Sequence, residues 1–597
     1  MTPRALGRMD LPILVTRAIR HAALSAALLL AAFAAVDADA LDVEQWQWGF
    51  AGKAIKNHFT PLSVLVSNPS SEPFDGVMTL RKCGPMGASS IGAPVLKRVF
   101  LGPFSSKWVQ FEPFIRDDNA KWRLHWGRRS KNSMNIPAPP LGGAAAVVLT
   151  SGDTIFSRAK VRAPAFRENL FPPSVAATAG LAAMALDHTP EFTPAQTKAF
   201  MDWLRGGGKL YILPDASGAT PQFTGGLAIL NFPGEKMALD AGTAKKLYLD
   251  DKPLSAKDMG AAVEIEKDPE NNVYIDTPID TFFHYVRKRV KTNHNWGLIF
   301  FISVVYMIFV TVVNYLVGRK TKTPLKPLAF FVATVAVFSL LLAWCGQRGQ
   351  GEKSQINTLT MAREISPGRF VAQQWIDVFA TSGDYYEISY GNGEPAFFSD
   401  CREENSLNAE IVNGTNGFIK ADIPMFSSVQ FYHAGAANAP GAELKSFKQA
   451  FDGTKAKFII LELSPDFPAP VKKVVAVALG KFYEFRETTP RKYEAIIPEI
   501  PKTFSKRIQE WDNSGGVNAL KYGYYDNDEE QTVESLIIPM IIRSRGGDES
   551  INGFFPSPRA ADDHTDIYIL APMHDSFKSS NDKIKTEKGS AIYHFVR

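Results

Sequence analysis

The stretches GLIFFISVVYMIFVTVVNYLV (297–317) and LAFFVATVAVFSLLLAWC (328–345), joined by the basic GRKTKTPLKP (318–327), decide the architecture of this chain. Neither run holds a charged residue. At 1.5 Å per residue, each is about long enough to cross a hydrocarbon core of roughly 30 Å. They are therefore expected to form a two-helix transmembrane hairpin. The hairpin stands mid-chain, with about 255 residues between residue 40 and its start and about 250 after it, so it divides two large water-facing regions.

Residues 1–40 read as an export signal peptide. Arg4, Arg8, Arg17 and Arg20 form a positive segment, Ala22 to Val36 is apolar, and Ala38-Asp39-Ala40 is a small-x-small cleavage pattern. The alternative is an uncleaved N-terminal anchor. Export would put both large regions on the periplasmic side of a bacterial inner membrane, with Arg319, Lys320, Lys322 and Lys326 in the cytoplasmic loop 318–327. Trp296 and Trp344 would then share the outer interface, where indole rings are favoured. Arg287, Lys288, Arg289 and Lys291 lie on the outer flank and match the inner loop charge for charge. The leader breaks the tie, because long domains translocate largely regardless of charge.

The formal charge of +5, from 66 basic and 61 acidic residues, is small for 597 residues. No clustered basic face of the kind nucleic acid requires is evident. Of the three cysteines, Cys345 lies at a membrane boundary. Cys83 and Cys401 could form one disulfide or remain separate thiols.

Residues 41–140 alternate short strands with turns. Leu62, Val64 and Val66 recur at period two before Asn68-Pro69, as in a β-sandwich. At 144–275 the pattern changes. Ala144 to Thr150 reads as a strand buried on both faces, and Thr193-Pro194-Ala195-Gln196 opens a helix with a capping box. Phe200, Trp203 and Leu204 form its core face, and Gly206-Gly207-Gly208 stops it before the strand at Leu210. Strand, helix and strand imply an α/β layer. Residues 278–291 read as an amphipathic juxtamembrane helix, with Ile279, Phe282, Phe283, Val286 and Val290 on a stripe expected to lie in the membrane surface. Residues 350–597 read as a β-rich, sandwich-like periplasmic region, with strands expected at Phe370 to Phe379, Ser428 to Tyr432, Leu536 to Ile542 and Asp566 to Leu570, among others.

The segment Asp187-His188-Thr189-Pro190, followed by the helix ending Trp203-Leu204-Arg205-Gly206-Gly207-Gly208-Lys209-Leu210, resembles the class I glutamine-amidotransferase-like domain, a flavodoxin-like α/β fold. The whole layout resembles a group of bacterial inner-membrane proteins often encoded beside MoxR-type AAA ATPases and von Willebrand A-domain proteins. The resemblance implies envelope location and assembly work. The chain departs from the amidotransferase pattern in having no cysteine between residues 144 and 275. That chemistry needs a thiolate activated by histidine, so glutamine hydrolysis is not expected, and His188 reads as a loop or surface histidine.

The remaining motifs have plain readings. Gly206-Gly207-Gly208-Lys209 lacks the upstream glycine and the Ser or Thr of a phosphate loop. Asp562, Asp563, His564, Asp566, His574 and Asp575 could ligate a divalent cation or simply form polar turns around a strand. Asp526, Asp528, Glu529 and Glu530 lack the glycine and distal glutamate of a calcium loop. Asn314 could hydrogen-bond a neighbouring helix or face the interface. Trp46, Trp48, Trp122 and Trp126 could stack on sugars or fill a core. No catalytic, cofactor-binding or metal-ligating residue is assigned, and no cofactor is expected.

The expected function is that of a membrane-anchored periplasmic interaction or scaffold protein without catalytic activity of its own. It would touch membrane lipid and other envelope proteins, and any MoxR-type ATPase system would act through another subunit. The alternative is an envelope enzyme or carbohydrate-binding protein, with its site in the crevice beyond the α/β strand ends.

Overall fold

The structure is a computed structural model that describes residues 41–84, 90–116, 119–127, 132–151, 161–215, 217–248, 254–260, 279–288, 296–321, 325–349, 353–391, 393–400, 408–453, 455–500, 502–513, 536–541 and 564–597. The leader, Lys322, Arg289, Lys291, Cys401, the acidic run at 526–530 and Asp562 with Asp563 lie outside the described residues, as do the side chains of Trp296, Trp344 and Cys345.

Strands Asp42–Trp48, Leu62–Ser67 and Ser106–Phe111 form a three-stranded antiparallel sheet. Leu62, Val64 and Val66 are fully buried, as their period of two requires for one face of a sheet. A second sheet begins with Phe74–Cys83, Ser90–Leu101, Lys121–Trp126 and Asn132–Ile136. Three strands from beyond the apolar helices complete it: Ala409–Val412 pairs in parallel with Ser90–Leu101, followed by Phe418–Ile423 and Asp384–Ser389. The two sheets share one apolar core, in which Val64, Met78 and Leu124 meet Ile388, Ile411 and Ile419. Residues 41–140 therefore do not close a core alone.

The α/β region is a six-stranded sheet. Ala165–Arg167, Ala145–Thr150, Leu181–Leu186, Lys209–Ile212 and Gly242–Lys246 run parallel in that spatial order, and Lys236–Leu239 pairs antiparallel at the edge. Helix Pro194–Arg205 makes the crossover between two neighbouring strands. Its capping box is complete: the Gln196 amide donates to Thr193 Oγ1 at 3.3 Å, and the Thr193 amide donates to Gln196 Oε1 at 3.0 Å. Phe200, Trp203 and Leu204 are fully buried. The glycine-rich return is a packing requirement, since a Cβ on Gly208 would lie 2.6 Å from the Trp203 ring.

Helices spanning Gly297–Lys320 and Leu325–Leu342 are long and apolar enough to cross a membrane. The second continues to Gly349. Phe300, Met307, Leu328 and Leu340 present apolar side chains outward, while Tyr306 and Phe309 pack on Phe338 between the helices. Such an outward apolar surface needs an apolar solvent.

An eleven-stranded sheet dominates the rest. Its third and fourth strands from one edge are the antiparallel hairpin Arg369–Ala380 with Gln355–Ser366, flanked by Ser427–Asn438 on one side and, in parallel, by Thr586–Val596 on the other. Helix Ile279–Lys288 lies on this sheet. Phe282 and Val286 are fully buried, the Phe282 ring packs at a tilt against Trp375 with centroids 4.7 Å apart, and the Gln430 amide donates to the Phe283 carbonyl at 3.0 Å. The described part of the stripe expected in lipid, Phe282, Phe283 and Val286, is thus covered by protein, while Val290 and the Ile279 side chain lie outside the described residues; a periodic apolar face records burial but not the identity of what buries it. Residues 536–541, expected as a strand, are helical and buried. A short, continuous apolar run has no periodicity to separate the two states.

Candidate functional site

A buried charged cluster sits where the α/β region meets the large sheet. Lys198 and Asp202 lie four residues apart, on one face of helix Pro194–Arg205. Arg369 opens its strand directly opposite Asn438, the last residue of the neighbouring strand, and Glu394 precedes strand Ala396–Ser399. The Arg369 guanidinium forks onto Asp202, with Nε donating to Oδ1 at 2.8 Å and Nη2 to Oδ2 at 2.5 Å. Its Nη1 donates to Glu394 Oε1 at 3.1 Å and to Asn438 Oδ1 at 2.9 Å. Lys198 Nζ donates to the same Glu394 oxygen.

The side chains of Arg369, Asp202 and Glu394 are only 12%, 8% and 10% exposed. Burial opposes the charge on Arg369, but the hydrogen bonds to Asp202 and Glu394 outweigh it and hold the guanidinium above its ordinary value. Burial likewise raises the Glu394 carboxyl, and the Arg369 and Lys198 hydrogen bonds more than reverse this. Arg369 and Glu394 are therefore both charged at neutral pH.

Glu394 belongs to the walls of two pockets. One, of about 240 Å³, is lined by Lys198, Asp202 and Pro395 among others. The second, of about 260 Å³, is lined by Tyr390, Asn438, Asp575 and Lys578. A polar ligand would meet charges of both signs here, with Lys198 and Lys578 offering cations and Asp575 a carboxylate. Arg369 is saturated by acceptors and the Glu394 carboxyl is held ionised, so the arrangement suits recognition better than proton transfer.

A second charged group lies at the carboxyl edge of the parallel sheet, where open α/β sheets bind ligands. Asp187 and His188 directly follow strand Leu181–Leu186, and Glu168 directly follows Ala165–Arg167. His188 Nδ1 lies 2.7 Å from Asp187 Oδ1, and Nε2 lies 3.1 Å from Glu168 Oε2. Burial opposes protonation, but the two carboxylates overcome it and hold the imidazole above the ordinary histidine value. Both ring nitrogens are committed to carboxylates, which leaves neither to activate a nucleophile. His188 does lie in a loop, where it is half-buried and clamps the loop after Leu186 to the one after Arg167.

The other sequence candidates fall elsewhere. Asp566 is bonded to His594 at 3.0 Å, His574 Nδ1 accepts from the Ser576 amide, and Asp575 pairs with Lys578, so the acidic and imidazole groups around strand Thr565–Pro572 are dispersed. Among the described residues, no group of three or more His, Cys, Asp or Glu side chains could hold a metal ion. Trp48, Trp122 and Trp126 are buried, and only Trp46 is exposed. Cys83 is a buried free thiol. Asn314 follows a π-helical turn, Phe309–Val313, in the first apolar helix.

Sequence reasoning missed Arg369, Glu394 and Asp202. One signal was present, since Asp202 interrupts the apolar set Phe200, Trp203 and Leu204 at a position one residue from its core members.

No protein-family model matches this chain, and no curated protein does. Similar solved structures include the β-glucosidase EmGH1 of Erythrobacter marinus, at 17% identity and a TM-score of 0.14 over 17% of this chain. The chain spans only 16% of that enzyme. They also include a cycloisomaltooligosaccharide glucanotransferase of Paenibacillus sp., at 9% identity and a TM-score of 0.16, covering 77% of this chain and 98% of that one. A β-glucuronidase of Bacteroides uniformis has 13% identity and a TM-score of 0.12 over 30% of this chain and 23% of its own. Such low scores carry no argument about fold or activity.

Proposed function

We propose that this is a membrane-anchored interaction or scaffold protein of the bacterial envelope, with two spans in the inner membrane and both large regions in the periplasm. The observation that carries the reading is the ladder between Ser90–Leu101 and Ala409–Val412. These strands come from opposite sides of the apolar hairpin, and a backbone ladder cannot form through a bilayer. Two spans with both flanks on one face satisfy that constraint, and the exported leader supports the outer face.

The α/β region is read as amidotransferase-like in its strand–helix–strand order and as lacking that chemistry, because residues 144–275 contain no cysteine. The layout supports kinship with the envelope proteins encoded beside MoxR-type ATPases. The loop 318–327 is too short to be a docking domain, so coupling to such an ATPase would run through another subunit. The two pockets sharing Glu394 favour a second reading, a periplasmic binder of a polar ligand.

Protease added to intact spheroplasts tests the arrangement: both regions are digested if it is right, and protection of either overturns it. Crosslinking in membranes tests the role, because recovery of the chain without other envelope proteins counts against a scaffold.

A further inference from the structure

The turn between strands Phe418–Ile423 and Ser427–Asn438 carries two apolar side chains at its tip, Met425 at 63% and Phe426 at 43% exposure. Phe426 also has φ of 54°, a left-handed conformation that a bulky residue seldom adopts. Tyr385, 51% exposed, stands beside them, since its neighbour Asp384 pairs with Ile423, the residue just before the turn. An exposed aromatic and apolar tip held in such a conformation calls for a partner.

Strand register indicates where that tip lies. Gln355 pairs with Phe379, and Phe379 with Ser428, so the turn at 424–426 stands at the same end of the sheet as Gln355. Gln355 follows the end of the second apolar helix, Gly349, by six residues, a reach of at most about 20 Å. Two strand spacings, about 10 Å, separate the turn from the Gln355 strand across the sheet. Arg369 and Asn438, in contrast, mark the far end of the same strands, about 40 Å away at 3.3 Å per residue.

We infer that Met425, Phe426 and Tyr385 form a membrane-dipping tip that enters the lipid interface beside the helical hairpin. The surroundings fit that solvent. Lys583 Nζ lies 2.6 Å from Asp384 and 2.8 Å from the Tyr385 carbonyl, and Lys420 Nζ sits 5.8 Å from the Tyr385 ring centroid. Amphipathic Tyr and Lys side chains around an apolar tip are the composition that headgroup regions favour. With the hairpin, the tip gives the body a second point of lipid contact, which limits rocking about the helices.

The inference rests on the two-span reading, and the test separates the two. The full chain carrying C345S and C401S is labelled with an environment-sensitive fluorophore at Met425→Cys, at Leu316→Cys in the first apolar helix, or at Pro367→Cys, exposed at the distal hairpin turn. Each is placed in phosphatidylcholine nanodiscs with or without brominated acyl chains. Quenching at Leu316 and Met425 but not at Pro367 is expected. Quenching at Leu316 alone overturns the tip, and so does a Met425 label that is blue-shifted but unquenched, because that reports a protein cover. Quenching at Pro367 overturns the orientation. Loss of quenching at all three sites overturns the spans as well. Tyr385→Cys provides a second site should the Met425 label disturb the turn.

Discussion

Val95 and Ile411 are paired neighbours in one parallel ladder, although the two apolar helices lie between them in the chain. Both side chains belong to the same buried core as Val64 and Leu124. Ile411→Ala is therefore expected to destabilise by about 2–5 kcal/mol. Limited proteolysis should find regions 41–140 and 384–423 becoming sensitive together, and sensitivity confined to one of them would contradict a shared core.

Arg369→Ala leaves Asp202 and Glu394 buried without their principal counter-ion, a change expected to cost about 3–5 kcal/mol. Arg369→Lys is expected to recover only part of the loss, because an ammonium cannot fork onto Asp202 while reaching Glu394. Thermal melts of the detergent-solubilised chain measure both.

Phe282→Ala removes the ring packed against Trp375 and is expected to cost about 3–5 kcal/mol. A helix resting only in lipid would leave the melting of the large sheet unchanged, and hydrogen exchange across Arg369–Ala380 distinguishes the two outcomes.

Two histidines are expected to bend the stability profile in opposite directions. His188 has a folded value raised above 6.5, so its contribution is complete below 6.5 and is lost as pH rises through the folded value. His433 is buried and held down to about 3 by desolvation, with Nδ1 2.8 Å from Gln374 Oε1. Its unfolded form binds a proton that the folded form refuses, so stability falls as pH drops below 6.5 toward 3. His188→Gln should flatten the alkaline limb and His433→Gln the acid limb, as read from denaturant midpoints across pH. An unchanged slope in either variant would reject the corresponding assignment.

Gly208→Ala places a methyl group against the Trp203 ring and is expected to cost about 1–3 kcal/mol through overpacking. Differential scanning calorimetry supplies the number.

Features set by local spacing were legible in the sequence. The apolar helices, the capping box at Thr193, the alternation of Leu62, Val64 and Val66, and the glycine stop after Arg205 all depend on residues close in the chain. What the sequence concealed depends on distant partners. Nothing near Val95 announces Ile411, and nothing near Ile279–Lys288 says that Trp375 rather than lipid covers its apolar face. The charged cluster was hidden for the same reason, since Asp202, Arg369 and Glu394 come from three separate elements and only folding brings them within hydrogen-bond distance.

The shared ladder also sets a timetable for biosynthesis. Strand Ser90–Leu101 leaves the ribosome about 300 residues before Ala409–Val412, an interval of about 15–60 s at roughly 5–20 residues per second. Throughout that delay its hydrogen-bonding edge stands vacant while both helices are being inserted. An open strand edge is a template for mispairing, so the nascent chain is most vulnerable to aggregation, and most in need of a chaperone, before its second half arrives.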